Sequence, residues 1–163
     1  MKLSSSETLL LQAIAFKLGV NQDDLYKLIN FESKWNPKAA NPVSSAKGLI
    51  QFTNATAQDL GFKDSAELIR KNPTITDQLP IVEKYLTQFK PFTGKQSLYL
   101  SVFYPKARKW PENKMFSERV RKVNPGVNTP GDYIRKIEGF TKQVALSTMA
   151  LAIAGAGFFF TFS

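Results

Sequence analysis

The 163-residue chain contains no cysteine and no histidine. Without cysteine there is no disulfide, no thiolate nucleophile and no thiolate metal site. Without histidine the chain lacks the commonest general base and the commonest metal ligand, and an ordinary Ser-His-Asp triad is excluded. Catalysis therefore has to use carboxylates, lysine, tyrosine or backbone groups.

Acidic residues are also in short supply, with 13 Asp and Glu against 22 Lys and Arg, which leaves a net charge of +9. A basic surface suits an anionic partner such as cell wall, anionic lipid or nucleic acid. Because the sequence has no nucleic-acid motif, phosphate-binding loop or dinucleotide fingerprint, we expect no specific nucleic-acid partner. The length fits one compact domain with a short appendage.

The N-terminal segment 4–19 predicts a helix that ends at Gly19. Its apolar run is short, is interrupted by Gln12 and Lys17, and is followed by no small-residue cleavage pattern. We therefore expect this segment to be part of the fold and not a signal peptide.

Glu32 is the candidate catalytic residue. It lies on one face of a helix predicted from about residue 21, with apolar residues at positions i, i+3 and i+4 before it: Leu25, Leu28 and Ile29. Burial of that face would desolvate the carboxyl group, raise its pKa and allow it to act as a general acid. The alternatives at this point are a surface glutamate at a frayed helix end and a glutamate paired with a lysine.

The segment 34–48 is rich in proline, asparagine and serine and predicts a loop. Two interpretations of this loop remain open. It is either one wall of a substrate cleft, which would place Ser44 or Ser45 and the Gln51 side chain near Glu32, or an ordinary surface connection.

Further short helices are predicted over residues 54–60 and 64–71, and a longer one after a capping box formed by Thr74 and Asp77. The run 97–104, SLYLSVFY, is too short for its periodicity to distinguish a buried helix from a strand. A long basic loop with one short helix and then a last helix over 132–143 complete the predicted domain.

Residues 144–163 form the longest uncharged stretch of the chain. Their number matches the ~20 residues that a helix needs to cross a bilayer. We therefore predict a domain over 1–143 and a hydrophobic membrane segment over 144–163; the alternatives are a buried C-terminal helix and an interfacial segment. Lys and Arg lie only on the N-terminal side of this stretch, which by the positive-inside rule favours a cytoplasmic domain.

The segment 32–61 resembles the signature of soluble lytic transglycosylases, the branch of the lysozyme superfamily that cleaves peptidoglycan. The matching motifs are Glu32-Ser33, Trp35-Asn36-Pro37, Gly48-Leu49-Ile50-Gln51-Phe52, Thr56-Ala57 and Leu60-Gly61. The later run LYLSVFYP is similar to the phage-type version of the family. The resemblance implies a mainly α, lysozyme-like domain in which residues 97–104 are helical, followed here by the hydrophobic C-terminal helix.

The resemblance also implies a chemistry with one carboxylate and with no metal or other cofactor. Glu32 would protonate the glycosidic oxygen between N-acetylmuramic acid and N-acetylglucosamine and then act as base on the muramyl 6-hydroxyl, which closes a 1,6-anhydro ring. Gln51, Ser44 and a tyrosine, Tyr99 or Tyr104, would hold the sugar or orient the acid.

Two alternatives to this function stay open. A second carboxylate among Asp59, Asp64 and Glu67 would make the protein a hydrolysing muramidase, that is, a lysozyme. A membrane-anchored protein that binds glycan without cleaving it would also fit the sequence.

The expected partners are peptidoglycan strands, a lipid membrane contacted through residues 144–163, and other virion proteins. Because the substrate lies outside the cell and no signal peptide is predicted, we expect a virion component of a membrane-containing phage that reaches the wall during infection. A cytosolic lysozyme released by a holin is the alternative.

Overall fold

The computed structural model describes residues 2–147, and the side chains of residues 2–140. This part of the chain is mainly helical, as predicted, with two isolated β-bridges in the loop after the second helix. The helices are α1 (Ser5–Leu18), α2 (Gln22–Ser33), α3 (Asn54–Asp59), α4 (Ser65–Lys71), α5 (Ile75–Thr87), α6 (Lys95–Phe103), α7 (Glu118–Val123) and α8 (Pro130–Ser147), with a 3₁₀ turn (Pro105–Ala107) after α6.

Local capping explains where the longer helices begin. Thr74 accepts a hydrogen bond from the backbone of Asp77, whose carboxylate accepts one from Thr74 in return, so the predicted capping box of α5 is confirmed. Asn21 caps the N-terminus of α2, because its side chain accepts hydrogen bonds from the backbone N–H groups of Asp23 and Asp24. The α6 segment is a helix and not a strand.

The α8 helix begins at Pro130 and runs without a break past residue 143, where composition placed the end of the domain. Most of the predicted membrane segment, residues 148–163, lies outside the described residues. Among the helices that the structure describes, none combines the length and the apolar character needed to cross a bilayer.

The α2 helix lies in the centre of the molecule, in contact with α1, α6 and α8. Its predicted apolar face is confirmed, because Leu25, Leu28 and Ile29 are completely buried. Burial of this face against three helices brings the C-terminal turn of α2, which carries Glu32, close to α8.

The loop after α2 is fastened to α5 by the side chain of Gln78, which is fully buried. Its Oε1 atom accepts a hydrogen bond from the backbone N–H of Leu49 at 2.9 Å, and its Nε2 atom donates to the carbonyl oxygens of Pro37 at 2.7 Å and Asn72 at 2.9 Å. The bonds to Pro37 and Leu49 satisfy backbone groups of an irregular loop and hold it in place near both ends. The bond to Asn72 joins the end of α4 to the same side chain.

Gly48 lies where this loop touches α4 and α5. Its φ of +76° is in the left-handed region, and a Cβ atom would be 2.5 Å from Ile69 Cδ1 and 2.6 Å from Gln78 Oε1. Only glycine fits such a close approach without displacing its neighbours. The tight turn leads directly to Gln51, which itself has a φ of 56°.

Candidate active site

Glu32 lies in the last turn of α2 and is only 5% exposed. Tyr133 donates a hydrogen bond from its hydroxyl group to Glu32 Oε1 at 2.6 Å. Among the described residues no ion pair involves Glu32, so it is neither a surface glutamate nor one paired with a lysine. Burial raises its pKa from 4.5 to about 7, although the Tyr133 bond acts in the opposite direction. The carboxyl group can therefore both give and take a proton near neutral pH.

Tyr133 is held rigidly by aromatic contacts. It is completely buried on α8, stacks on Phe103 with ring centroids 4.3 Å apart, and meets Phe31 edge-on at 5.7 Å. Burial and the neighbouring Glu32 charge raise the pKa of Tyr133 well above its usual value, so its hydroxyl group keeps its proton and serves as a donor. Tyr133 is thus the tyrosine that orients the candidate acid.

Tyr99 or Tyr104 was predicted to orient Glu32, but among the described residues the hydroxyl group bonded to Glu32 is that of Tyr133. The Tyr99 hydroxyl group donates instead towards Glu138 Oε1 at 3.0 Å and Asp24 Oδ1 at 3.3 Å. It therefore connects α6 with α8 and α2. No sequence pattern singles out Tyr133 as the partner of Glu32. The two residues are 101 positions apart, and Tyr133 resembles any other core residue of the last helix.

A pocket of about 220 Å³ is lined by Phe103, whose ring stacks on Tyr133. Its walls include Gln51, Tyr85 on α5, and Phe103 and Tyr104 at the end of α6. Glu32 does not line the pocket itself but is connected to it in two ways. Phe103 stacks on Tyr133, which holds Glu32, and the Glu32 charge contributes to the raised pKa of Tyr85, whose largest cause is burial.

A larger, open depression of about 500 Å³ lies at the other end of α2, next to Asp23 and Tyr26. With a rise of 1.5 Å per helical residue, it is roughly 15 Å from Glu32. The acid that lines it, Asp23, is exposed, whereas the wall of the smaller pocket is connected to the buried Glu32 through Phe103 and Tyr133. The smaller pocket is therefore the better candidate for the site.

Gln51 is the predicted binding residue that the structure places in the pocket wall. Its Nε2 atom donates to the Gly48 carbonyl oxygen at 3.0 Å, whereas its buried Oε1 atom accepts no hydrogen bond from the described residues. Since an unpaired buried acceptor costs about 1–3 kcal/mol, this oxygen is suited to an N–H group of a ligand. Its role in binding stays a prediction.

Two further predicted binding residues, Tyr104 and Ser44, differ in position. Tyr104 lines the pocket and packs edge-on against Trp110 at 5.9 Å. Ser44 does not line it; its hydroxyl oxygen accepts a hydrogen bond from the backbone N–H of Ala46 at 3.3 Å, which shapes the loop. A direct contact of Ser44 with substrate therefore has no support in this geometry.

The three candidates for a second carboxylate are also separated by the structure. Asp64 caps α4 through the backbone N–H of Glu67, and Glu67 pairs with Lys71 at 3.1 Å, so both serve that helix. Asp59 is exposed at the end of α3, and its charge contributes to raising the pKa of Tyr85 in the pocket wall. Asp59 is thus the candidate that the structure connects to the pocket. Within the described residues no cluster of acidic side chains could hold a metal ion.

Comparison with known proteins agrees with the geometry. No curated protein matches the chain. Residues 10–79 match the family model of the transglycosylase SLT domain, which covers α1 to the start of α5 and includes both Glu32 and Gln51 but not Tyr133. Over these residues the chain is similar to an SLT-type transglycosylase domain.

Proposed function

We propose that the protein is a lytic transglycosylase that cleaves the β-1,4 bond between N-acetylmuramic acid and N-acetylglucosamine and leaves a 1,6-anhydro product. The observation that carries the proposal is a buried carboxyl group with a pKa of about 7, held by a tyrosine whose ring stacks on Phe103 of the pocket wall. The match of residues 10–79 to the SLT domain supports the same substrate.

In the first step, Glu32 gives its proton to the glycosidic oxygen. The bond between that oxygen and the anomeric carbon breaks, N-acetylglucosamine leaves with the new hydroxyl group, and positive charge develops on the muramyl ring. Because Tyr133 donates to Oε1, the Glu32 proton is left on Oε2. The bond from Tyr133 strengthens as the carboxylate becomes charged, which stabilises the intermediate state.

In the second step, the Glu32 carboxylate takes the proton of the muramyl 6-hydroxyl group, whose oxygen bonds to the anomeric carbon. Glu32 is then protonated again, so the cycle closes without consuming water. The acetamido group of the substrate can stabilise the positive charge between the two steps. A pKa near 7 serves both steps, because the protonated acid and its conjugate base are both available at neutral pH.

The second candidate function is a hydrolysing muramidase, in which a second carboxylate would activate water or stabilise the cation. The specific observation in its favour is that the charge of Asp59 contributes to the raised pKa of Tyr85 in the pocket wall. Asp59 is exposed and shares no hydrogen bond with Glu32 among the described residues, so we place this function second.

Mass spectrometry of digests of purified sacculi separates the two functions. We expect wild-type protein to release muropeptides that end in 1,6-anhydro rings, and Asp59→Asn to release the same products at a similar rate. Muropeptides with free reducing ends, lost in Asp59→Asn, would establish the muramidase instead. Binding of sacculi without any product would indicate the third alternative, a membrane-anchored protein that only binds glycan.

For location, we propose a virion protein of a membrane-containing phage that acts on the wall during infection or lysis. The uncharged stretch 144–163, with its cluster of phenylalanines, supports contact with a membrane. We expect the chain in purified phage particles, in the fraction that is extracted with detergent. Its absence from particles, together with free protein in the periplasm, would contradict the proposal.

A further inference from the structure

A strongly basic segment follows the pocket wall directly. Residues 105–126 carry seven Lys and Arg and two Glu. The net positive charge of this segment is more than half of the +9 of the whole chain. Four exposed lysines of this segment take part in no ion pair within the part of the chain that the structure describes: Lys106, Lys109, Lys114 and Lys122. Their charge is therefore free to attract an anionic group from outside the chain.

Aromatic contacts hold part of this charge at the pocket wall. The Lys114 Nζ atom lies over the Trp110 ring, 4.1 Å from its centroid. Trp110 packs edge-on against Tyr104, which lines the pocket, and its backbone carbonyl accepts a hydrogen bond from Gln96 at 2.6 Å. Lys106 comes next to Pro105, which also lines the pocket. Lys106 and Lys114 are thus placed beside the pocket and not on a distant surface, and Lys109 lies between them in the sequence.

Arg108, which follows the 3₁₀ turn, contacts Phe89 just after the end of α5. Its guanidinium carbon lies 4.9 Å from the centre of the Phe89 ring, and its Nη1 atom donates to the Phe89 carbonyl oxygen at 2.6 Å. The Phe89 ring in turn meets Tyr85 of the pocket wall at 5.2 Å. The 3₁₀ turn, which carries Lys106 and is followed by Arg108, is therefore fixed to both walls of the pocket.

We propose that Lys106, Lys109 and Lys114, here called the basic rim, bind carboxylate groups of the peptide stems on the glycan strand. The substrate class would then be peptidoglycan with free stem carboxylates, and amidated stems would be poorer substrates. The proposal rests on the proposed function, since it concerns the same pocket. A stem leaves the sugar chain laterally, so an acid on it can reach a cation outside the pocket that holds the sugar.

The test compares two preparations of sacculi, both freed of phosphate-containing polymers: one native, and one with its carboxyl groups chemically converted to amides. We expect wild-type protein to release product from native sacculi about fivefold faster, the size expected of a few exposed ion pairs. In the triple variant Lys106→Gln/Lys109→Gln/Lys114→Gln, the ratio of the rate on native sacculi to the rate on amidated sacculi should approach one. The matched control Lys2→Gln/Lys17→Gln/Lys71→Gln removes the same charge from exposed positions on or next to α1 and α4 and should keep the ratio.

Equal wild-type rates on both preparations, or an equal loss in rim and control variants, would overturn the proposal. So would a preference that appears only when phosphate-containing polymers are left on the wall, which would assign the rim to phosphodiesters. Sedimentation of Glu32→Gln protein with native and amidated sacculi measures the same preference without turnover. If wild type releases no product while this binding preference persists, the proposed function is refuted, but the binding of stem carboxylates by the basic rim is supported.

Discussion

Glu32→Gln is expected to reduce the release of 1,6-anhydro muropeptides by roughly 10³-fold, the size of effect that a general acid contributes. The amide cannot give a proton to the glycosidic oxygen, yet its carbonyl oxygen can still accept the hydrogen bond from Tyr133. The fold should therefore be intact, which circular dichroism can check. The measurement is the initial rate of product release from sacculi at pH 6.5, with mass spectrometry to identify the product. A variant that kept a tenth of the wild-type rate would exclude Glu32 as the acid.

The same substitution has a stability effect with a defined sign. The pKa of Glu32 is raised from 4.5 to about 7 by burial, so the folded state binds its proton more tightly than the unfolded chain. Wild-type stability should then fall as pH rises from 4.5 through 7, by about 3 kcal/mol for this group, and stay lower above pH 7. Glu32→Gln lacks this loss because the amide does not titrate. Relative to wild type, it should gain stability between pH 5 and pH 8.

Urea unfolding at both pH values measures this difference. Glu67→Gln is a suitable control, because Glu67 is also a helical glutamate but its pKa is lowered, first by a hydrogen bond from the backbone N–H of Lys63. The control should show no gain at high pH. Parallel stability curves for wild type and Glu32→Gln would mean that the Glu32 carboxyl group is not buried in solution.

Tyr133→Phe is expected to lower the rate 10- to 100-fold, in the range of roughly 1.4 to 3 kcal/mol that the loss of a hydrogen bond to a charged group costs. It should also change the pH profile. The Tyr133 bond lowers the pKa of Glu32, so its removal should move the basic limb of kcat/KM from about 7 to higher pH. The stacking on Phe103 is kept by phenylalanine, so the ring should stay in place.

Tyr99→Phe is the matched control for this substitution. It also removes a buried tyrosine hydroxyl group that bonds to carboxylates, but these are Glu138 and Asp24. Because Tyr99 is not a cause of the Glu32 pKa shift, Tyr99→Phe should lose stability without moving the basic limb. If the limb moved equally in both variants, the role of Tyr133 in orienting the acid would be refuted.

Local sequence was sufficient to predict most of the helices and the helix face that carries Glu32. The apolar face of α2 needed only the 3.6-residue period, because apolar residues at this spacing have to be buried, and Glu32 lies at the end of the same face. The capping box of α5 likewise depends on side chains that act within a few residues of themselves. The SLT signature is also contiguous in the chain, and for that reason the order and spacing of its residues are enough to recognise it.

What surrounds the acid was decided only by tertiary structure. Tyr133 reaches Glu32 because α8 packs across α2, and no local pattern specifies which of several tyrosines a distant helix will bring to a carboxylate. Burial of a carboxyl group, and with it a pKa of about 7, is likewise a property of every element packed around it. The chain by itself therefore determined which group could act as the acid, and the packing of its helices decided which hydroxyl group holds it.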